Sequence, residues 1–295
     1  MKKIFFLLAC ISISAMLFTS CDPDALDKDN GGSTSSESDG GGADDASEGV
    51  SFTLPDALIG SRPSDEGSYV RLVVEMQSTE EGGMTYRYSE TINLKALYSV
   101  EIPEVKHGNY NIYAWADCFS TKKDVDAFYN VEDLSGVSFD REDYPDFDVD
   151  SRHAYYVCQS DVKVDGKKLD IDMKRPHAGY TVTLQNPEQV LEVGRGGYTA
   201  SVRYVTFLPS GFNVYRQLVN DSATDVSYTI SLPVIEEDAS GLCIAKDIVL
   251  CGVKESSVML MIQIKDNAGD VVYESETINV SLKNGTVTDV PLEVL

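Results

Sequence analysis

YVRLVVEMQSTEEGGMTYRYSETINL, residues 69–94, decides the fold. Its first arm is rich in Val and Leu and reads as a well-buried strand. Its second arm alternates, with Tyr86 and Tyr88 between charged or hydroxylated neighbours. Glu80-Glu81-Gly82-Gly83 lies between the arms, and glycines supply the backbone freedom that a tight turn needs. Period-two patterning on both sides of such a turn predicts a β-hairpin, because alternate strand residues face opposite sides of a sheet.

The same pattern repeats outward. VSFTLP (50–55), ALYSVEIP (96–103), NYNIYAWAD (109–117), AYYVCQSDVKV (154–164) and KLDIDMKR (168–175) read as further strands, the last two across the turn Asp165-Gly166. Seven short strands at this spacing suggest a β-sandwich. The second half predicts strands at 178–184, 198–207, 227–233, 242–252, 257–266, 270–282 and 286–294. A helical turn or two is expected at 122–134 and at 187–191. The fold class is all-β, in two tandem β-sandwich domains, 50–176 and 177–295. The boundary is placed at Arg175-Pro176, because proline lacks the N–H that continues a ladder.

What precedes residue 50 is different in kind. Met1-Lys2-Lys3 leads into IFFLLACISISAMLF (4–18), too short for a spanning helix, which needs about 20 apolar residues. Residues 1–20 read as a secretory signal peptide. Its end, Phe18-Thr19-Ser20-Cys21, resembles a bacterial lipobox. That resemblance implies cleavage before Cys21 and acylation of Cys21, anchoring the chain to a membrane by lipid. From Asp22 to Gly49 there are nine acids and one base, Lys28, among Gly, Ser and Ala. Such a segment buries nothing and reads as a disordered tether with a reach on the order of 30 Å. In Bacteroides-type bacteria, acids after the lipid cysteine resemble a signal for the outer face of the outer membrane. The periplasmic face is the alternative.

The chain carries 24 Lys and Arg against 48 Asp and Glu, a net charge of −24. That argues against nucleic acid as a partner, since phosphate affinity rests on basic residues. GxSxG, HExxH and P-loop patterns are absent. The histidines 107, 153 and 177 are far apart in sequence, so the reading is a non-enzyme. Asp146-x-Asp148-x-Asp150 imitates the start of a calcium loop. Ser151 then stands where glycine is needed and Val157 where the bidentate Glu belongs. A solvated acidic loop is the favoured reading, with calcium at Asp146, Asp148 and Asp150 the alternative. Trp115 sits in an alternating strand, which favours core packing over stacking on a sugar. Cys118, Cys158, Cys243 and Cys251 allow the pairs 118–158 and 243–251, or four free thiols. The second pair requires a chain turn, because one continuous strand would separate those residues by about 27 Å. Asp221-Ser222-Ala223 resembles the Asp-Ser/Thr-apolar O-glycosylation site of Bacteroides and falls in an expected loop.

Three stretches together carry a wider resemblance: NIYAWADCFSTKKDVDAFYNVEDLSGVSF (111–139), MKRPHAGYTVTL (173–184) and LPSGFNV (208–214). Their order is similar to that in Bacteroidales lipoproteins related to fimbrillins and fimbrial anchor proteins. The sequence departs from that pattern at His177, where an apolar residue is expected, and at Gly179, where a basic one is common. The resemblance implies transthyretin-like or Greek-key sandwiches and subunits that join by strand addition. Polymerising relatives lose their first strand by cleavage after a basic residue. Here Arg62 precedes Pro63, a poor site, and Arg71 lies in a core strand, which points to a chain that keeps its lipid. The function implied is structural and adhesive: a pilus anchor, tip or accessory protein. A non-polymerising surface module that captures a glycan or a host protein is the alternative.

Overall fold

A computed structural model describes residues 50–53, 69–93, 99–102, 105–119, 128–139, 153–167, 169, 171–236 and 241–294. The 69–94 hairpin forms as its pattern predicts. β2 (Tyr69–Ser78) and β3 (Thr85–Asn93) pair antiparallel from Tyr69↔Asn93 to Gln77↔Thr85. Gly82 takes φ +72° in the turn, and a Cβ on Gly83 would collide with the Ser78 side chain. β5 (Gly108–Phe119) joins the other side of β2, and β7 (Ala154–Val164) follows, giving the order β3-β2-β5-β7. β1 (Val50–Thr53) and β4 (Ser99–Ile102) form a separate two-stranded ladder.

Both faces of this four-stranded sheet are buried. Val70, Leu72, Val74, Met76, Ile112 and Ala114 share one apolar cluster with Ile102, Val105 and Ile171. The expected strand 168–175 contributes here in a different way. Among its described residues only bridges form, including Tyr156↔Lys174. Leu169, Ile171 and Met173 nonetheless pack on the cluster. Their alternation reports one-sided burial, which does not require a continuous ladder.

The opposite face carries Val73, Trp115 and Tyr156, and it packs against the second half of the chain. These residues share one cluster with Tyr129, Leu134 and Val137 and with Tyr180, Phe212 and Leu260. The shared layer contains a hairpin that the alternation did not reveal, β10 (Leu208–Asn213) and β11 (Leu218–Ala223). Their pattern is obscured by Pro209, Gly211 and two register shifts. β6 (Val137–Ser138), from the first half, pairs with β10. The described residues fall in one compact unit.

The remaining strands make two facing sheets. One holds β13 (Leu242–Leu250), β8 (His177–Leu184) and β17 (Val287–Leu292), in that order. The other runs β12 (Ser227–Ser231), β9 (Thr199–Tyr204), β14 (Ser256–Lys265), with β15 (Val271–Glu274) and β16 (Ile278–Leu282) both paired to β14. The expected 270–282 strand is thus divided at Ser275. There the backbone N–H donates to the Ile262 carbonyl, and Oγ accepts from the Ile262 N–H. A 3-10 turn at Pro187–Gln189 fulfils the expectation at 187–191. The described residues are all-β.

Between the two sheets lies a buried polar cluster. Asp247 is the cross-strand partner of Tyr180. Tyr204 donates to Asp247 Oδ2 at 2.6 Å, and Tyr228 donates to the Lys246 carbonyl at 3.0 Å. The Tyr180 hydroxyl lies 2.9 Å from that of Tyr204 and 3.1 Å from that of Tyr228. Each hydroxyl therefore has a use for its proton, which offsets the cost of burying it.

Candidate functional site

The last strand is the candidate assembly site. β17 runs parallel to β8, from Val287↔Gly179 to Leu292↔Leu184, and has no strand on its other side among the described residues. A tight turn delivers it: Gly285 takes φ +73°, and Thr286 N–H donates to the Lys283 carbonyl at 3.1 Å. Gly285 N–H reaches the His177 carbonyl at 2.7 Å. The Thr286 and Leu292 carbonyls accept from Gly179 and Gln185 at 2.8 Å each.

Those bonds fix which way each residue faces. N–H and C=O of one strand residue point to the same side, and the side alternates along the strand. Even-numbered residues of β17 therefore bond to β8, and Val287, Asp289 and Pro291 face the open edge. Pro291 has no N–H to offer there, so the outer edge is a poor template for another strand. Beyond the ladder to β8, Thr288 Oγ1 donates to the Ser281 carbonyl of β16 at 2.8 Å. Val290, Leu292 and Val294 are partly buried against the core, while Val287 is 52% exposed. Thr181 Oγ1 donates to Asp289 Oδ1 across the pair.

The two departures at the start of β8 acquire reasons here. A Cβ on Gly179 would sit 3.0 Å from Val287 Cγ2, so a long side chain would push β17 outward. His177 is buried, with Nε2 2.7 Å from the Tyr129 hydroxyl. It joins the 128–139 segment to the first residue of the β17 dock.

The other candidates from the sequence are scattered. Cys21, Asp146, Asp148 and Asp150 lie outside the described residues, as does Arg62. Arg71 is buried in β2. Ser222 is exposed, but it sits on edge strand β11 opposite Pro209 and not in a loop. Its N–H donates to the Asp221 carboxylate at 2.7 Å. Trp115 is fully buried, 5.2 Å from the Tyr129 ring and 6.1 Å from the Phe212 ring, so it presents no face to a sugar.

Among the described residues, Cys118, Cys158, Cys243 and Cys251 form no disulfide. Cys243 lies on β13, and Cys251 follows its last residue, with no turn between them. That excludes the 243–251 pair by the distance a strand spans. Cys118 and Cys158 lie on adjacent strands but in opposite clusters, because Cys158 is opposite Tyr113 in the ladder. Sequence reasoning missed the β10–β11 hairpin and the cleft beside the 80–83 turn. The Glu80–Gly83 turn and the Val105–Gly108 connection were its visible signals.

A model of DUF6562, a family of unknown function, matches residues 44–295. No curated protein matches the chain at a significant level. Among solved structures, a provisionally described adhesin from Bacteroides ovatus aligns with 84% of this chain and 93% of its own, at 11% identity and TM-score 0.49. A provisionally described cell adhesion protein from Bacteroides eggerthii covers 86% and 89%, at 12% identity and TM-score 0.46. The fimbrial anchor protein Mfa2 from Porphyromonas gingivalis covers 77% and 81%, at 15% identity and TM-score 0.38. At this distance no residue-level correspondence follows.

Proposed function

The chain belongs to the DUF6562 family over residues 44–295, and we propose that it is a lipid-anchored cell-surface protein with a structural and adhesive role. In this reading Cys21 carries the lipid and residues 22–49 form the tether. The β-rich body stands away from the outer membrane as a fimbrillin-like anchor, tip or accessory subunit. The role is one of binding and not of catalysis.

The observation that carries the assembly part is the one-sided docking of β17. A strand with one ladder neighbour, tied otherwise by partly buried side chains and by Thr288 Oγ1 to the Ser281 carbonyl, can be replaced by a strand of the same pattern from a partner. Main-chain bonds would give affinity, and the pockets for positions 290 and 292 would give specificity. Ser222, exposed on β11, is proposed as an O-glycosylation site compatible with a surface location. Calcium at Asp146, Asp148 and Asp150 is the alternative to a solvated acidic loop.

Two experiments test the reading. Protease shaving of intact cells is expected to remove residues 50–295 and leave an acylated Cys21 peptide in the membrane. Protection of the body in intact cells overturns surface exposure. Deleting residues 286–295 is expected to abolish co-purification with fimbrial subunits. Unchanged co-purification overturns strand exchange. It would favour the second reading, a non-polymerising module that captures a glycan or host protein, for which a cleft in the first sheet offers a place.

A further inference from the structure

At the turn end of the first sheet, a cleft of about 210 Å³ opens between the 79–84 turn and the 105–108 loop. We propose that it is a subsite for one neutral sugar ring of a glycan. This rests on the surface-binding reading above and gives it a ligand class and an address.

The cleft is built and held. Thr79 ties the turn to β5, donating to the Asn109 carbonyl from its N–H at 2.9 Å and from Oγ1 at 3.2 Å. Tyr110 donates its hydroxyl to the Lys106 carbonyl at 2.9 Å, which fixes the opposite wall. Glu80 N–H meets Ser78 Oγ at 3.2 Å. A ligand would therefore find the walls already ordered, and binding would cost little conformational entropy.

Its size and chemistry select the ligand. Sites for drug-sized molecules occupy about 300–1,000 Å³, so this cleft suits a single ring. Tyr86 and Tyr110 line it, their rings 6.0 Å apart in an edge-on arrangement. Exposed Lys106 and His107 offer donors, while Ser78 and exposed Glu80 offer acceptors. Gly82, Gly83 and Gly108 leave backbone uncovered along the rim. One acid and one lysine balance, so neither an anion nor a cation is preferred. A neutral ring whose hydroxyls both donate and accept uses both sets. Tyr86 lies beside half-exposed Met84, which lines the same cleft.

The test uses the full chain in detergent micelles and saturation-transfer NMR. Glucose, galactose and mannose serve as neutral probes, glucosamine as the cation and inorganic phosphate as the anion. The expected result is transfer to at least one neutral hexose and none to glucosamine or phosphate. Glu80→Ala and Lys106→Ala are each expected to weaken binding about tenfold, the size of one lost hydrogen bond. Both side chains are exposed, so the melting temperature should not move, and circular dichroism checks this. No hexose transfer, transfer to the ions alone, or unchanged binding in both variants overturns the proposal. Immobilised host mucin glycans and the bacterium's own capsular polysaccharide then separate the two sources of such a ring. The shaving experiment stands apart. A shaved chain that binds no sugar overturns the cleft alone, whereas a protected chain overturns the surface reading whatever the cleft binds.

Discussion

Arg71 and Asp117 are cross-strand partners on β2 and β5, joined by two hydrogen bonds: Nε to Oδ1 at 3.0 Å and Nη2 to Oδ2 at 2.8 Å. Both residues are buried, and Arg71 Nη2 also donates to the Tyr129 carbonyl at 2.7 Å. The pair thus fastens the 128–139 segment over the sheet face that carries Trp115. Close by, Glu75 accepts from Arg87 and from the Tyr215 hydroxyl of the second half, while Arg87 donates to the Glu132 carbonyl at 2.7 Å.

Removing one partner of a buried ion pair leaves the other charge uncompensated. Asp117→Asn or Arg71→Met is expected to cost about 3–5 kcal/mol, whereas replacing both by apolar residues of similar volume should cost much less. Urea melts of the two single variants and the double variant check this. Additive losses would show that the pair is not coupled.

We propose that the sandwiches at 50–176 and 177–295 unfold together, because Trp115 and Phe212 lie in one cluster and β6 pairs with β10. Trp115, the sole tryptophan, should show blue-shifted emission and resist iodide quenching in the folded chain. Its red shift should coincide with loss of the far-ultraviolet strand signal. Two separated transitions would refute joint unfolding.

Alkaline pH should destabilise the protein. Burial, with Cys158 and Cys251 nearby, pushes the Tyr156 hydroxyl up to about 12 from its ordinary 10. Burial likewise holds Tyr180 and Tyr204 well above that value. Below pH 10 these groups are neutral folded or unfolded, and their contribution is fully present. Above pH 10 the unfolded chain releases protons that the folded chain retains, so stability falls as pH rises through about 12. Denaturant midpoints at pH 8, 10, 11 and 12 are the check; a flat profile contradicts the assignment.

The four body thiols should differ in reactivity. Cys243 is exposed and should react first with a disulfide reagent, whereas Cys118 and Cys251 are buried and should wait for unfolding. Burial pushes the Cys158, Cys243 and Cys251 thiols all up, so the expected order rests on accessibility and not on thiolate fraction. Non-reducing electrophoresis should show no mobility shift.

Strand positions were legible where alternation meets a good turn. β2, β3, β5 and β7 follow their patterns, as do β8, β13 and β14, because side-chain period and one-sided burial are local consequences of strand geometry. Alternation at 168–173 was equally clear, yet it marked an apolar cover and not a ladder. β10 and β11 were hidden because a proline, a glycine and register shifts break the alternation, while their stability comes from packing on Phe212's neighbours.

The sequence by itself determined the all-β class, the hairpin turns and the interior place of Trp115. Those properties depend on composition and on neighbours a few positions apart. Only the tertiary structure decided that Arg71 meets Asp117, that His177 meets Tyr129, and that Gly179 lies under Val287. It also decided that the first sheet is buried on both faces, one of them against the second half of the chain. These relations join residues separated by 46, 48 and about 110 positions, and no local periodicity records which strand a distant segment will choose. That choice is made by burial and charge pairing once the chain has closed on itself.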